Sequence, residues 1–198
     1  MTDVEQRRGR PGYDRAGILA VAVSAFIEHG YDATSIAMLA ERLGLSKSAI
    51  YHHFASKEAL LAAALDQALG GLEAVVIESE ALGGPAEDRL AHVLRGAVHV
   101  LVDRLSEVTL LLRVRGNTDV ERDAVRRRRA FDRAMQALVR EAQDAGAVRA
   151  DVDARIVERL LFGMVNSIVE WYRPGGPEDA SRLADDLLTI ALDGIRAR

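Results

Sequence analysis

Lys47, Ser48, Tyr51 and His52 lie within six residues of one another in the stretch TSIAMLAERLGLSKSAIYHHFASKEA, and Lys47 and Lys57 are the only lysines in the chain. These side chains suit a nucleic-acid duplex. An ammonium pairs with phosphate or guanine, a serine hydroxyl donates and accepts, and a tyrosine or histidine ring reaches phosphate or a thymine methyl. Ser56 and Lys57, at the start of a following helix, offer backbone N–H groups and a positive charge to phosphate. The competing reading packs the aromatic residues and histidines beneath that next helix. His53 is left between the two readings, whereas Tyr51 and His52 are assigned to the nucleic acid. Adjacent histidines on a helix point about 100° apart, so His52 and His53 do not form a chelating pair.

Presenting such a surface requires two short helices joined by a tight turn. Thr34 or Ser35 caps the first, which turns Ile36, Leu39, Ala40 and Leu43 inward and Glu41 and Arg42 outward. Gly44 makes the turn because it accepts the positive φ that other residues resist, and Ser46 caps the second helix. A preceding helix over residues 14–29 contributes Ile18, Leu19, Ala22, Val23 and Phe26, and Gly30 stops it. With Ala49, Ile50 and Phe54 these form a three-helix core, so residues 14–58 read as a DNA-binding helix-turn-helix domain. Two copies with recognition helices about 34 Å apart would read a pseudo-palindrome. Residues 1–13, MTDVEQRRGRPGY, read as a flexible basic arm, either a solvated tail or a segment entering an A·T-rich minor groove.

The remaining residues, 59–198, continue in helical periodicity. All four prolines fall outside the periodic segments, and glycines divide the chain into about nine helices. The fold class is therefore all-α. A long helix from Ser56 to about Ser79 includes Gly70 and Gly71 as a bend. The helices near residues 151–172 and from 178 onward carry surplus apolar surface, which points to a two-fold homodimer. An apolar fraction of 49% supports a real core, and a net charge of -4 confines any polyanion surface to a local patch. No cysteine is present, which excludes disulfides and thiolate chemistry and fits a reducing cytoplasm. Arg7 and Arg8 are not followed by an export signal, and no apolar run is expected to cross a membrane. Cytoplasmic localisation is the expectation.

The segment LSKSAIYHHFASKEAL strongly resembles the TetR family of one-component transcriptional regulators, over about residues 14–65. The resemblance implies a recognition helix at Ser46 to His52, with Lys47, Ser48, Tyr51 and His52 facing DNA. It also implies phosphate contacts from Thr34 and Lys57, a structural role for Phe54, and a homodimer formed through the last two helices. WYRPGGP, at Trp171 to Pro177, is similar to acyl-CoA-responsive members, which implies a small-molecule effector that is an acyl-CoA thioester. No resident cofactor is expected.

Polar Asn166 and Glu170, one turn apart in an apolar helix, either orient such an effector or hydrogen-bond across a dimer interface. His99, Arg113, Arg115, Asn117 and Trp171 are further effector candidates. His92 and His99 share a helix face and read as core or pocket residues rather than metal ligands. The run Arg126 to Arg129 meets coenzyme phosphates or forms a solvated face. The function expected is that of a repressor released from a palindromic operator. The alternatives are a helical acyl-CoA-binding enzyme or a protein-binding adaptor without DNA affinity. No nucleophile elbow, phosphate loop or dinucleotide fingerprint favours the enzyme.

Overall fold

The computed structural model describes residues 14–196, which form nine α-helices and one isolated bridge between Val148 and Arg196. The all-α expectation is met. The chain divides into two compact units, the first ending at Leu61 and the second beginning at Ala62. The basic arm expected over residues 1–13 lies outside the described residues.

The first unit holds α1 (Arg15–His29), α2 (Ile36–Leu43), α3 (Lys47–His53) and the opening of α4 (Lys57–Leu82). Asp14 starts α1 by accepting the Gly17 N–H at 2.8 Å, and Gly30 ends it at φ 86°. Ile18, Ala22, Val23, Leu39, Ile50 and Leu60 are fully buried, and Phe26, Phe54 and Leu61 nearly so. Burying each Leu, Ile, Val or Phe stabilises the fold by about 1.5–3 kcal/mol. That supplies a rigid mount for the short helix α3, which is too short to persist alone.

In the second unit α4 continues and is followed by α5 (Ala86–Asp103), α6 (Leu105–Arg113), α7 (Asp119–Asp144), α8 (Ala154–Trp171) and α9 (Ala180–Ile195). Helix α5 is central and packs against α7, α8 and α9. Helix α4 runs unbroken through Gly70 and Gly71, where a bend was expected. Gly71 instead admits α5: a Cβ there would meet Val100 Cγ1 at 3.0 Å, and one on Gly96 would meet Val75 Cγ1 at 2.4 Å. One glycine on each helix thus permits a close crossing that offsets a helix penalty of about 1 kcal/mol apiece.

Against expectation, α4 is long and apolar enough by composition to cross a bilayer, with a mean hydropathy of 1.6 over its best window. In the fold its Leu65, Ala68, Leu69 and Val75 are buried in the second unit, while Asp66 and Glu73 form ion pairs with Arg127. It is built as a core helix.

Candidate nucleic-acid interface and apolar cleft

The turn between α2 and α3 forms as the local sequence dictates. Ser35 Oγ accepts the Met38 N–H at 3.2 Å, and Gly44 adopts φ 64°, ψ 31°. The Leu45 N–H then reaches back to the Ala40 carbonyl at 2.9 Å, the six-to-one closure of a Schellman turn. Ser46 Oγ accepts the Ala49 N–H at 3.2 Å and lies 2.8 Å from Ser48 Oγ. Ile50 and Phe54 point into the core, which leaves Lys47, Ser48, Tyr51 and His52 on the open side of α3. Lys47 has no hydrogen-bond or ion-pair partner among the described residues, and Tyr51 is 50% exposed. Four polar side chains therefore share one outward face, with a cation that has no ion-pair partner among the described residues.

Two of the expected phosphate contacts are arranged differently. The Thr34 hydroxyl is turned inward, 2.8 Å from the Gly30 carbonyl and 3.3 Å from that of Ala25, and the residue is buried. Its role is to close the connection between α1 and α2. Lys57 Nζ donates to the Tyr31 carbonyl at 2.9 Å and the Thr34 carbonyl at 3.0 Å, and sits 4.2 Å from the Tyr31 ring centroid. Two of its three N–H groups are thus engaged inside the protein. Ser56 Oγ accepts the Ala59 N–H at 3.1 Å. The Glu58 carboxyl is held below its ordinary value by its own backbone N–H, by Ser56 and, more weakly, by Tyr31.

Arg15 is the positioning residue that sequence reasoning missed. Its Nη1 donates to the His53 carbonyl at 2.5 Å, and its guanidinium lies 4.2 Å from the Phe54 ring centroid. A cation at the C-terminal end of α3 meets the negative end of the helix dipole and fixes that end against α1. The signal was weak, because one arginine at a helix start resembles any solvated charge.

In the second unit an apolar cleft of about 60 Å³ lies among α4, α5, α6, α7 and α8. Leu72, Val100, Leu111, Phe131 and Phe162 line it, with Arg128, Asp132 and Asn166 as its polar groups. The Phe131 and Phe162 rings meet edge to face, 5.1 Å apart. Burial pushes the Asp132 carboxyl above its ordinary range, against the pull of Arg128, Arg159, Arg133 and Arg129.

Of the expected effector residues only Asn166 reaches this cleft. His99 is half-buried and outside its wall, while Arg113, Asn117 and Glu170 are exposed. Trp171 is 47% exposed, whereas its neighbour Tyr172 is 6% exposed, so the helix turns tyrosine rather than tryptophan inward.

The arginine run does not act as one surface. Arg127 clamps α7 to α4 through Glu73, at 2.8 and 2.9 Å, and through Asp66. Arg128 leans toward the cleft, and Arg126 and Arg129 face outward. Successive residues advance about 100° around a helix, so four in a row must diverge. A helical projection of the sequence could have shown this.

Known proteins are similar to this chain in sequence and fold. Residues 18–64 match the family model described as bacterial regulatory proteins, tetR family, and residues 83–195 match the one described as tetracyclin repressor-like, C-terminal domain. The chain is 48% identical to a structurally characterised TetR transcriptional regulator family member from Streptomyces coelicolor A3, with a TM-score of 0.83 and 90% of each chain covered. It is 25% identical to the ketosteroid transcriptional regulator KstR2 of Mycobacterium tuberculosis, with a TM-score of 0.84 over 96% of this chain and 98% of that one. It is also 26% identical over 193 residues to the HTH-type transcriptional repressor KstR2 of Mycolicibacterium smegmatis, covering 94% of this chain and 92% of the relative.

Proposed function

The chain belongs to the TetR family of bacterial regulatory proteins, and from that premise we propose a cytoplasmic, homodimeric repressor that leaves a palindromic operator when a coenzyme A thioester occupies its second unit. DNA binding in transcriptional regulation is the family's function. The observation that carries the reading onto this chain is the outward face of α3, where Lys47, unpaired among the described residues, stands beside Ser48, Tyr51 and His52. Lys47 supplies salt-dependent affinity and the other three add contacts to base edges and backbone. Exposed Ile156 and Leu160 on α8 and Ile190 on α9 support dimerisation through those two helices, since apolar surface at helical spacing gains by being covered.

The volume of the cleft supports an effector-driven switch. About 60 Å³ is well below the roughly 300–1,000 Å³ of ligand sites. An acyl group enters only by parting the helices that line the cleft, so it favours a widened conformation over the narrow one. That difference in affinity is what shifts a population. Helix α4 contributes Leu72 to the wall and starts at Lys57 beside the DNA-facing helix, which makes it the connecting rod. The name of the KstR2 relatives, ketosteroid transcriptional regulator, supports a ring-derived acyl group.

The test uses full-length protein and DNA that the protein itself selects from a random library. Salt-sensitive, sequence-selective binding is expected, released by an acyl-CoA more effectively than by the matching free acid. Absence of selective DNA binding overturns the regulator reading, and equal release by acid and thioester removes the coenzyme.

A further inference from the structure

We infer that Arg115, Arg122, Arg126, Arg129 and Arg133 form a binding site for clustered phosphate groups, which, resting on the function proposed above, receives the coenzyme portion of the effector. The five guanidiniums line one open concavity of about 460 Å³ at the start of α7. That volume lies within the range of small-molecule sites and is far larger than the apolar cleft. On α7 the spacing from Arg122 through Arg126 and Arg129 to Arg133 is four, three and four residues, which keeps all four on one face.

The charge on this face is only partly balanced among the described residues. Arg122 pairs with Asp119 at 2.5 Å and Arg126 pairs with Asp123. Arg129 and Arg133 are exposed and form no direct ion pair among the described residues, their nearest carboxylate influence being Asp132 beside them on α7. Five guanidiniums against two ion-paired carboxylates and the half-buried Asp132, on which Arg129 and Arg133 pull, leave the concavity net positive in a chain whose net charge is -4. Like charges three and four apart on a helix oppose its formation. Stability therefore gives no reason for the pattern, and recognition of a compact polyanion does.

The fifth arginine is held in place. Glu121 is buried, and its Oε2 accepts the N–H groups of Arg115 at 3.3 Å, Gly116 at 2.9 Å and Asn117 at 2.8 Å. Thr118 caps α7 by accepting the Glu121 N–H at 3.2 Å. Arg115 Nη1 then donates to the Leu112 carbonyl at 3.3 Å, which fixes part of its fork and leaves other N–H groups for a ligand. The loop between α6 and α7 is thus built around one carboxylate and presents Arg115 to the α7 face. Planar guanidiniums pair bidentately with phosphate oxygens, so a diphosphate with a third phosphate nearby matches this set better than a single carboxylate does.

The experiment is calorimetric titration of the full-length protein with coenzyme A, 3′-dephospho-coenzyme A, adenosine 3′,5′-bisphosphate and pantetheine, at low and high salt. Arg129→Gln and Arg133→Gln are compared with Arg140→Gln, which removes a charge on α7 outside the concavity. The phosphorylated compounds bind wild type and weaken with salt, and pantetheine does not bind. Each concavity variant loses about tenfold in affinity while Arg140→Gln does not, as expected for one charge-assisted contact. Adenosine 3′,5′-bisphosphate binding as tightly as coenzyme A assigns the site to free nucleotides and overturns its assignment to the coenzyme. Equal binding by wild type and both concavity variants overturns the site, as does loss of affinity for library-selected DNA with coenzyme binding unchanged. If acyl-CoA still releases that DNA from both variants as readily as from wild type, the site fails and the proposed function stands. If coenzyme binding depends on Arg129 but no thioester releases DNA, the site stands and the effector reading fails.

Discussion

The ammonium of Lys57 lies 4.2 Å from the centre of the Tyr31 ring and donates to the carbonyls of Tyr31 and Thr34, so the first residue of α4 is stapled to the connection between α1 and α2. A cation over an aromatic face with two carbonyl partners is a structural clamp. Lys57→Met should therefore cost about 2 kcal/mol of stability, from two charged hydrogen bonds and the ring contact. It should also weaken binding to every DNA sequence alike, with little change in the slope of log K against log salt. A slope reduced by about one per protomer would instead mean that Lys57 neutralises a phosphate.

Lys47 is the contrasting case. Its ammonium has no partner among the described residues, so Lys47→Gln should reduce the salt slope by about one per protomer and change sequence preference, while thermal stability stays within about 0.5 kcal/mol. Affinity measured over a salt series, on two DNA sequences that differ at one position, separates these effects.

Glu158 is buried between α7 and α8 and accepts a hydrogen bond from Gln136 Nε2 at 3.3 Å. Burial first, and then Asp132, push its carboxyl above the ordinary value, while Gln136 and Arg159 act in the opposite direction. The folded state therefore holds this proton to a higher pH than the unfolded chain does, and stability falls as pH rises through the window above the ordinary carboxylate value of about 4.3. Glu158→Gln should raise the melting temperature near pH 7 and leave it unchanged near pH 4. An equal effect at both would point to packing rather than titration.

Gly96→Ala places a Cβ 2.4 Å from Val75 Cγ1 and should cost about 1–3 kcal/mol by overpacking, despite alanine's better helix propensity. Adding Val75→Ala should recover part of that loss. Denaturant midpoints of the two single variants and the double variant give the coupling directly.

How much of this was legible depends on the range of the interaction. Ser35, Gly44 and Ser46 were readable because a cap is set by residues within one turn of it, and the helix-turn-helix follows from those caps with Ile36, Leu39 and Ile50. The internal partners of Thr34 and Lys57, Ala25 and Tyr31, were not legible because they lie across the fold, and a polar side chain carries no local mark of turning inward. Gly70 and Gly71 suggested a bend because helix propensity is local, whereas the approach of Val100 is not. Trp171 is the last residue of α8 and Tyr172 its extended cap, and without the neighbouring helices which of the two turns inward was undetermined. Arg126 to Arg129 stood out as a run, yet the face that matters joins Arg122, Arg129 and Arg133 and was readable only as a spacing.

The glycine seam between α4 and α5 also bears on mechanics. The side chains that fill it, Val75 and Val100, are both β-branched and have little rotamer freedom on a helix. A displacement of α5 therefore cannot be taken up by side chains re-orienting at the crossing, and the backbone of α4 must move with it. Such a joint has no play, and the helix that begins at Lys57 registers small movements of the helix beside it without losing them on the way.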